Sequence, residues 1–326
     1  LSSFHKGIKM VNCKPKLNRM KKIKYILILS IITILVYSCG DDGVPSLIDP
    51  NFDHAAQAVK DNDSLVLFLK NHYYDSTEGI VKLKEEGSTE TALFDDSNLI
   101  TQEVKEIIND EEIDYKLYVY KSKEGVITNP NPTYVDSVLV DYSGQFILNT
   151  TSISENNFDS NTNTWFELGS SVIRGWSYGF INFKTGTNNG ASNPDEPLSF
   201  SNPGEGILFI PSGLAYGNVG FGGGIIPPNQ ILMFYIKLND MEPIIDSDED
   251  SVLNKDEFEE GQIPWFNDTD GDGIPNYLDT DDDNDRVLTI NEDTKIEDGD
   301  PTNDFSDPNN PDLPDYLNID IRKSKN

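Results

Sequence analysis

The last quarter of the chain carries more negative charge than a packed protein can hold unaided. From Asp246 to Asp320 there are 26 acidic and 3 basic residues, a net of -23, out of -31 for all 326 residues. Carboxylates at this density repel one another unless water or cations offset them. The segment is therefore either a solvated stalk or a cation-binding device. The rest of the chain is close to neutral, and with 37% hydrophobic residues overall it can build a globular core. An excess of this size opposes contact with phosphate backbones, so no nucleic acid is expected as a partner.

The acids have a register that solubility does not require. Asp246, Asp248, Asp250, Asn254 and Glu257 occupy positions 1, 3, 5, 9 and 12 of a loop. Asp268, Asp270, Asp272, Asn276 and Asp279 repeat it, with Gly273 at position 6. Asp281, Asp283, Asp285 and Glu292 repeat most of it, although Arg286 stands in the glycine place. Such spacing folds several oxygens around one hard cation, which takes about six to eight ligands when it is calcium. Pro264, Pro275, Pro308, Pro311 and Pro314 work against flanking helices. The run DTDGDGIPNYLDTDDDND at 268–285 resembles the calcium-binding type 3 repeats of the thrombospondin kind. The resemblance implies an irregular calcium-binding extension over 242–326. Lying after the rest of the chain, it is expected to bind calcium without being needed for chemistry elsewhere.

At the other end, Lys21, Lys22 and Lys24 precede a 13-residue apolar run, Tyr25 to Tyr37. That run is short for a membrane span and has the length of a signal-peptide apolar region. Met20 stands just before the basic cluster, so residues 1–38 read as an upstream extension followed by a signal peptide. Val36-Tyr37-Ser38-Cys39 resembles the lipobox of bacterial lipoproteins, which implies a lipid on Cys39, a tether over 39–52 and anchorage in a bacterial membrane. An extracytoplasmic lipoprotein of the outer membrane is the expected form. Cys13 and Cys39 are the only thiols, which leaves no internal disulfide.

Residues 53–111 read as a small helical region. Ala55, Ala56, Ala58 and Val59 form one apolar cluster and Leu65 to Leu69 another. Asp61-Asn62-Asp63-Ser64 lies between them, with Asp63 or Ser64 as a cap, so two short helices are expected. Thr101 to Asn109, with Val104, Ile107 and Ile108 on one face, reads as a further short helix. His54 and His72 lack partners at ligand spacing. From Ile113 the period becomes two, as in Ile113, Tyr115, Leu117, Val119 and again Leu232, Phe234, Ile236, Leu238, which gives strands with one face toward a core. Stretches rich in glycine, asparagine and proline at 125–133, 186–206 and 217–229 read as loops. The fold class is α+β, with a mainly antiparallel sheet over 112–241.

Six separated blocks carry a stronger signal. They are Val138 to Gly144, Asn157 to Ser160, Phe166 to Trp176, Ile210 to Gly217, Ile225 to Asn229, and Leu232 with Phe234. In this order they resemble the FKBP-type peptidyl-prolyl cis-trans isomerases, over roughly residues 134–240. The resemblance implies five or six antiparallel strands wrapped around a short helix, with the active cleft between them. It also implies Trp176 as the floor of a proline pocket, Tyr142, Phe158, Val172, Ile173 and Phe234 as walls, and Asp159, Tyr216 and Ile226 as rim. The Ile173 N–H and the Tyr216 hydroxyl would donate to carbonyls of the bound peptide, and Asp159 would orient Tyr142. Read without the resemblance, these residues still form an aromatic and aliphatic surface suited to a proline ring. Turning an Xaa-Pro bond needs no nucleophile and no cofactor, so Ser143 and Ser212 read as structural. The expected activity is prolyl isomerisation in extracytoplasmic polypeptides. The alternative is a peptide-gripping surface module with little turnover.

Overall fold

The computed structural model describes residue 49 and residues 51–190, 198–243, 245–259, 261–295 and 298–325. The apolar run at 25–37, Cys39 and most of the expected tether lie outside the described residues.

The chain enters through one helix, α1 (His54–Asn71), capped by Asp53, whose side chain accepts from the Ala56 N–H at 2.8 Å. The expected break at 61–64 does not occur, and Asp63 and Ser64 lie inside the helix. Asp61 is buried in mid-helix and accepts from Gln57 Nε2 at 2.7 Å, the Ser212 N–H at 2.8 Å and Ser212 Oγ at 2.6 Å. Asn62 accepts from the Tyr118 hydroxyl at 2.9 Å. Tertiary partners thus satisfy the polar groups that would otherwise end the helix. A small hairpin of β1 (His72–Asp75) and β2 (Ile80–Leu83) follows.

The expected helix at 101–109 is instead a strand, β3 (Leu99–Ile108), antiparallel to β4 (Glu111–Lys123) along its length. Asn109 and Asp110 join them with φ of 53° and 64°. Two successive left-handed residues make the turn that matches strand twist, and Asn and Asp tolerate that region better than other side chains. Val104 is buried, whereas Ile107, assigned to the same helical face, points outward and is exposed. The sheet therefore starts well before residue 112.

Its remaining strands are β5 (Ser137–Asn149), β6 (Ser152–Ile153), β7 (Asp159–Glu167), β10 (Gly204–Ile210) and β11 (Leu232–Glu242). The order is β3-β4-β10-β11-β5-β6, with β7 also on β5, seven strands where five or six were expected. Every pairing is antiparallel. Within the expected loop at 186–206, β8 (Thr187–Gly190) and β9 (Ser199–Ser201) make a second small hairpin.

Central strands are buried on both faces rather than one. Tyr118 and Tyr120 of β4 and Ile207 and Phe209 of β10 meet Leu65, Phe68 and Leu69 of α1. The intervening Leu117, Val119, Leu208 and Ile210 face the second helix, α2 (Arg174–Phe180), and its Trp176, Tyr178 and Phe180. Period-two alternation thus feeds two cores from one sheet.

The acidic extension has no strand or long helix among its described residues. It turns through short 3-10 segments at 254–256, 264–266, 276–278, 289–291, 301–303 and 315–317. It is no separate stalk, for Trp265 and Tyr277 join the α2-side core. The described residues form one compact unit.

Candidate functional site

An open cleft of about 880 Å³ lies between β5, β11 and α2. Trp176, from α2, is buried at its base and stands edge-on to Tyr142, Phe166 and Phe234 at centroid separations of 5.0, 5.3 and 5.3 Å. Phe158 stacks on Phe146 at 4.7 Å and meets Phe234 edge-on at 5.5 Å. Gly144, opposite Phe234 on β5, makes this packing possible. A Cβ there would lie 2.6 Å from ring atoms of both Phe158 and Phe234.

The polar rim is sparse. Tyr142 donates its hydroxyl to Asp159 Oδ2 at 2.7 Å. Burial, followed by this carboxylate, raises the Tyr142 phenol above its ordinary range, and burial does the same to Tyr216. Both tyrosines therefore stay protonated donors at neutral pH. Tyr216 lies 5.0 Å from the ring of Phe221, which bridges to Ile226 in the glycine-rich flap. Ile173 sits at the N-terminal end of α2 in extended conformation, and among the described residues its N–H has no acceptor.

Of the nine residues assigned to the pocket from sequence, Tyr142, Phe158, Asp159, Val172, Ile173, Trp176, Tyr216 and Phe234 line the cleft. Ile226 does not; its side chain is buried in the α2-side core. The sequence reading omitted Phe166, Arg174 and Phe221, and it placed the acidic extension elsewhere. Trp265, Gly273, Pro275, Tyr277 and Leu278 of that extension also line the cleft. The available signal was chemical, because large aromatic side chains in an otherwise charged run need a surface to cover.

The extension gathers carboxylates into groups whose ligand atoms lie within 4.8 Å of one another. These are Asp246/Asp248/Asp250, Asp268/Asp270/Asp272, Asp281/Asp283/Asp285 and a buried group of Asp250, Glu257 and Asp282. Asp282 was not among the residues chosen from spacing. Both oxygens of Asp248, Glu257 and Glu292 are buried with no hydrogen-bond donor. Burial, compounded by neighbouring carboxylates, pushes Asp248 up to about 8 and Glu257 and Glu292 to about 10. An array of buried, donorless oxygens is chemically matched to a divalent cation, so these groups could hold one.

Asn254 and Asn276 also close their loops. Each side chain accepts from the N–H of position 2 in its loop, Ser247 at 2.8 Å or Thr269 at 2.9 Å, and donates to the same residue's hydroxyl. Thr289 and Asp282 make the corresponding closure in the third loop. Asp279 accepts from the Asp281 N–H at 3.0 Å.

Residues 129–239 match the family model of the FKBP-type peptidyl-prolyl cis-trans isomerases. This part of the chain, about a third of it, is an FKBP-type domain. The chain is 27% identical to a peptidyl-prolyl cis-trans isomerase from Pseudomonas syringae pv. tomato over 42% of this chain and 80% of that one, with a TM-score of 0.29. It is 21% identical to FkpA from Escherichia coli over 71% of this chain and 76% of that one, with a TM-score of 0.31. No curated protein matches. Among the described residues no helix is long and apolar enough to cross a membrane.

Proposed function

We propose that the FKBP-type domain catalyses cis-trans isomerisation of Xaa-Pro bonds in extracytoplasmic polypeptides. The observation that carries this reading is the cleft itself, an aromatic floor and walls with the Tyr142 and Tyr216 hydroxyls at the rim. An Xaa-Pro bond turns slowly because its C–N linkage has partial double-bond character, with a barrier near 20 kcal/mol. Twisting the bond removes resonance and much of the charge separation that water stabilises. A proline held against Trp176 and Phe234, away from water, favours the twisted form without any covalent step. The Ile173 N–H and the Tyr216 hydroxyl hold flanking carbonyls, and Asp159 holds Tyr142 against the wall.

A protease-coupled assay on a proline-containing peptide tests this. Phe234→Ala, with its folding checked by circular dichroism, is expected to lower kcat/KM by about tenfold or more. Parent protein that turns the peptide over no faster than buffer would sink the assignment and leave peptide gripping as the function.

Two further readings accompany it. The acidic loops are proposed to hold calcium, through Asp246, Asp248, Asp250 and Glu257, through Asp268, Asp270 and Asp272, and through Asp281, Asp283, Asp285 and Glu292. Calorimetry with calcium, and with magnesium as a control, reads this directly; no calcium-specific heat up to millimolar ion rejects it. Cys39 is proposed as a lipid attachment point, and mass spectrometry of the mature N-terminus, with Cys39→Ala for comparison, decides it.

A further inference from the structure

The cleft has a wall that the FKBP-type segment does not supply. Pro275 and Leu278, from the acidic extension, face the same space as Trp176 and Phe234. This wall is fastened at two points. Tyr277 donates its hydroxyl to the Gly169 carbonyl at 2.9 Å, and Trp265 meets Tyr178 edge-on at 5.2 Å with the Arg174 guanidinium 3.9 Å from its ring centroid.

Carboxylate groups bracket the wall in the chain. Asp268, Asp270 and Asp272 immediately precede Gly273–Leu278, and Asp282 follows close behind it. Asp282 converges with Asp250 and Glu257 of the first loop, and the three are only 1%, 1% and 4% exposed. Asp282 Oδ1, Asp250 Oδ2 and both Glu257 oxygens have no hydrogen-bond donor. Among the described residues, no lysine or arginine forms an ion pair with any of them; the extension's ion pairs are Lys255–Asp256 and Lys325–Asp293. Ionised carboxylates this close repel one another, which opposes the contact of the first and third loops unless a cation offsets it. The segment between them is the cleft wall.

We propose that a divalent cation held by Asp250, Glu257 and Asp282 locks Gly273–Leu278 in place as the second wall of the peptide cleft, so that capture of a proline-containing peptide depends on the cation. Pro275 and Leu278 then offer apolar surface to a side chain neighbouring the proline. The proposal rests on the peptide-binding cleft described above and adds its control.

The experiment uses the protein with its whole acidic extension, in calcium and in chelator. Affinity for a fluorescent proline-containing peptide is read by anisotropy, hydrogen exchange is read at 273–278, and KM is separated from kcat in the isomerase assay. Chelation is expected to weaken peptide binding and raise KM by about tenfold, with kcat changed less, and to speed exchange at 273–278. Glu257→Gln should mimic chelation. Tyr277→Phe, which keeps the ring and loses the bond to Gly169, should weaken binding several-fold even in calcium. Equal affinity and equal exchange in calcium and chelator overturn the proposal. Should the protein show no turnover under either condition, the isomerase reading fails and binding decides: cation-dependent capture upholds the wall, while cation-independent capture or none overturns it.

Discussion

Gly144 is the residue on which the proline pocket's aromatic walls turn. With both Phe158 and Phe234 packed where its Cβ would be, Gly144→Ala forces one ring to move. Overpacking of this kind costs about 1–3 kcal/mol, so the midpoint of urea unfolding should fall together with peptide affinity. Unchanged unfolding and binding would show that the rings accommodate a methyl group. His72 offers a pH test at the same scale. It is buried, stacks on Phe68 at a centroid distance of 3.8 Å, and donates from Nδ1 to the Phe68 carbonyl at 2.8 Å. Burial lowers its pKa below the ordinary value, and the bond to Phe68 only partly opposes this. The unfolded chain therefore takes up this proton first as pH falls below about 6.5, and stability present above that pH is lost below it. His72→Gln should flatten the stability profile between about pH 6.5 and 5 relative to the parent, as read by thermal unfolding across buffers. Parallel profiles would assign the acid loss to other groups.

The three acidic loops share a backbone that their sequences only partly announce. Position 6 is left-handed in each, at Ser251 with φ 83°, Gly273 with φ 97° and Arg286 with φ 81°. Its N–H donates to the carboxylate at position 1 each time, to Asp246, Asp268 and Asp281. Position 4 is left-handed as well, at Glu249, Gly271 and Asn284. Arg286 thus departs from the glycine pattern in residue type while keeping the glycine conformation. A non-glycine residue there costs roughly 1–2 kcal/mol, so Arg286→Gly and Ser251→Gly should each raise stability in calcium, less whatever glycine loses in unfolded-chain entropy. Calorimetric unfolding checks this, and a lower midpoint for both variants would mean that the side chains contribute contacts outweighing the strain. The same logic explains β3, whose Asn109-Asp110 turn commits flanking residues to a hairpin although Val104, Ile107 and Ile108 also fit a helical face.

At the scale of the molecule, the FKBP-type segment is covered on both sides by chain outside it. Leu65, Phe68 and Leu69 of α1 cover one face of the sheet, and Trp265 and Tyr277 join the core on the other. Residues 112–241 expressed alone would expose Tyr118, Tyr120, Phe209 and Met233, all buried in the whole chain. That fragment is expected to aggregate or to lack a cooperative transition, whereas a fragment starting before Asp53 and ending after Tyr316 should unfold cooperatively. A soluble, cooperatively folding 112–241 fragment would show that both coverings are dispensable.

By itself the sequence determined what depends on neighbours along the chain. Alternation names β4 and β11, whereas β8 and β9 lie in a stretch that reads as a loop. The six blocks name the pocket residues that the structure brings around one cleft, apart from Ile226. The spacing of aspartates names the positions that converge in each acidic loop. What the tertiary structure alone decided rests on partners far apart in sequence. Asp61 stays helical because Ser212, 151 residues away, donates to it, and no local pattern encodes that bond. Glu257 and Asp282 meet only because two loops pack together. Tyr277 reaches Gly169 across 108 residues and turns an acidic tail into a wall of the cleft. Local spacing sets backbone conformation and amphipathic faces, but which faces meet is chosen by burying apolar surface and satisfying polar groups across the whole chain at once.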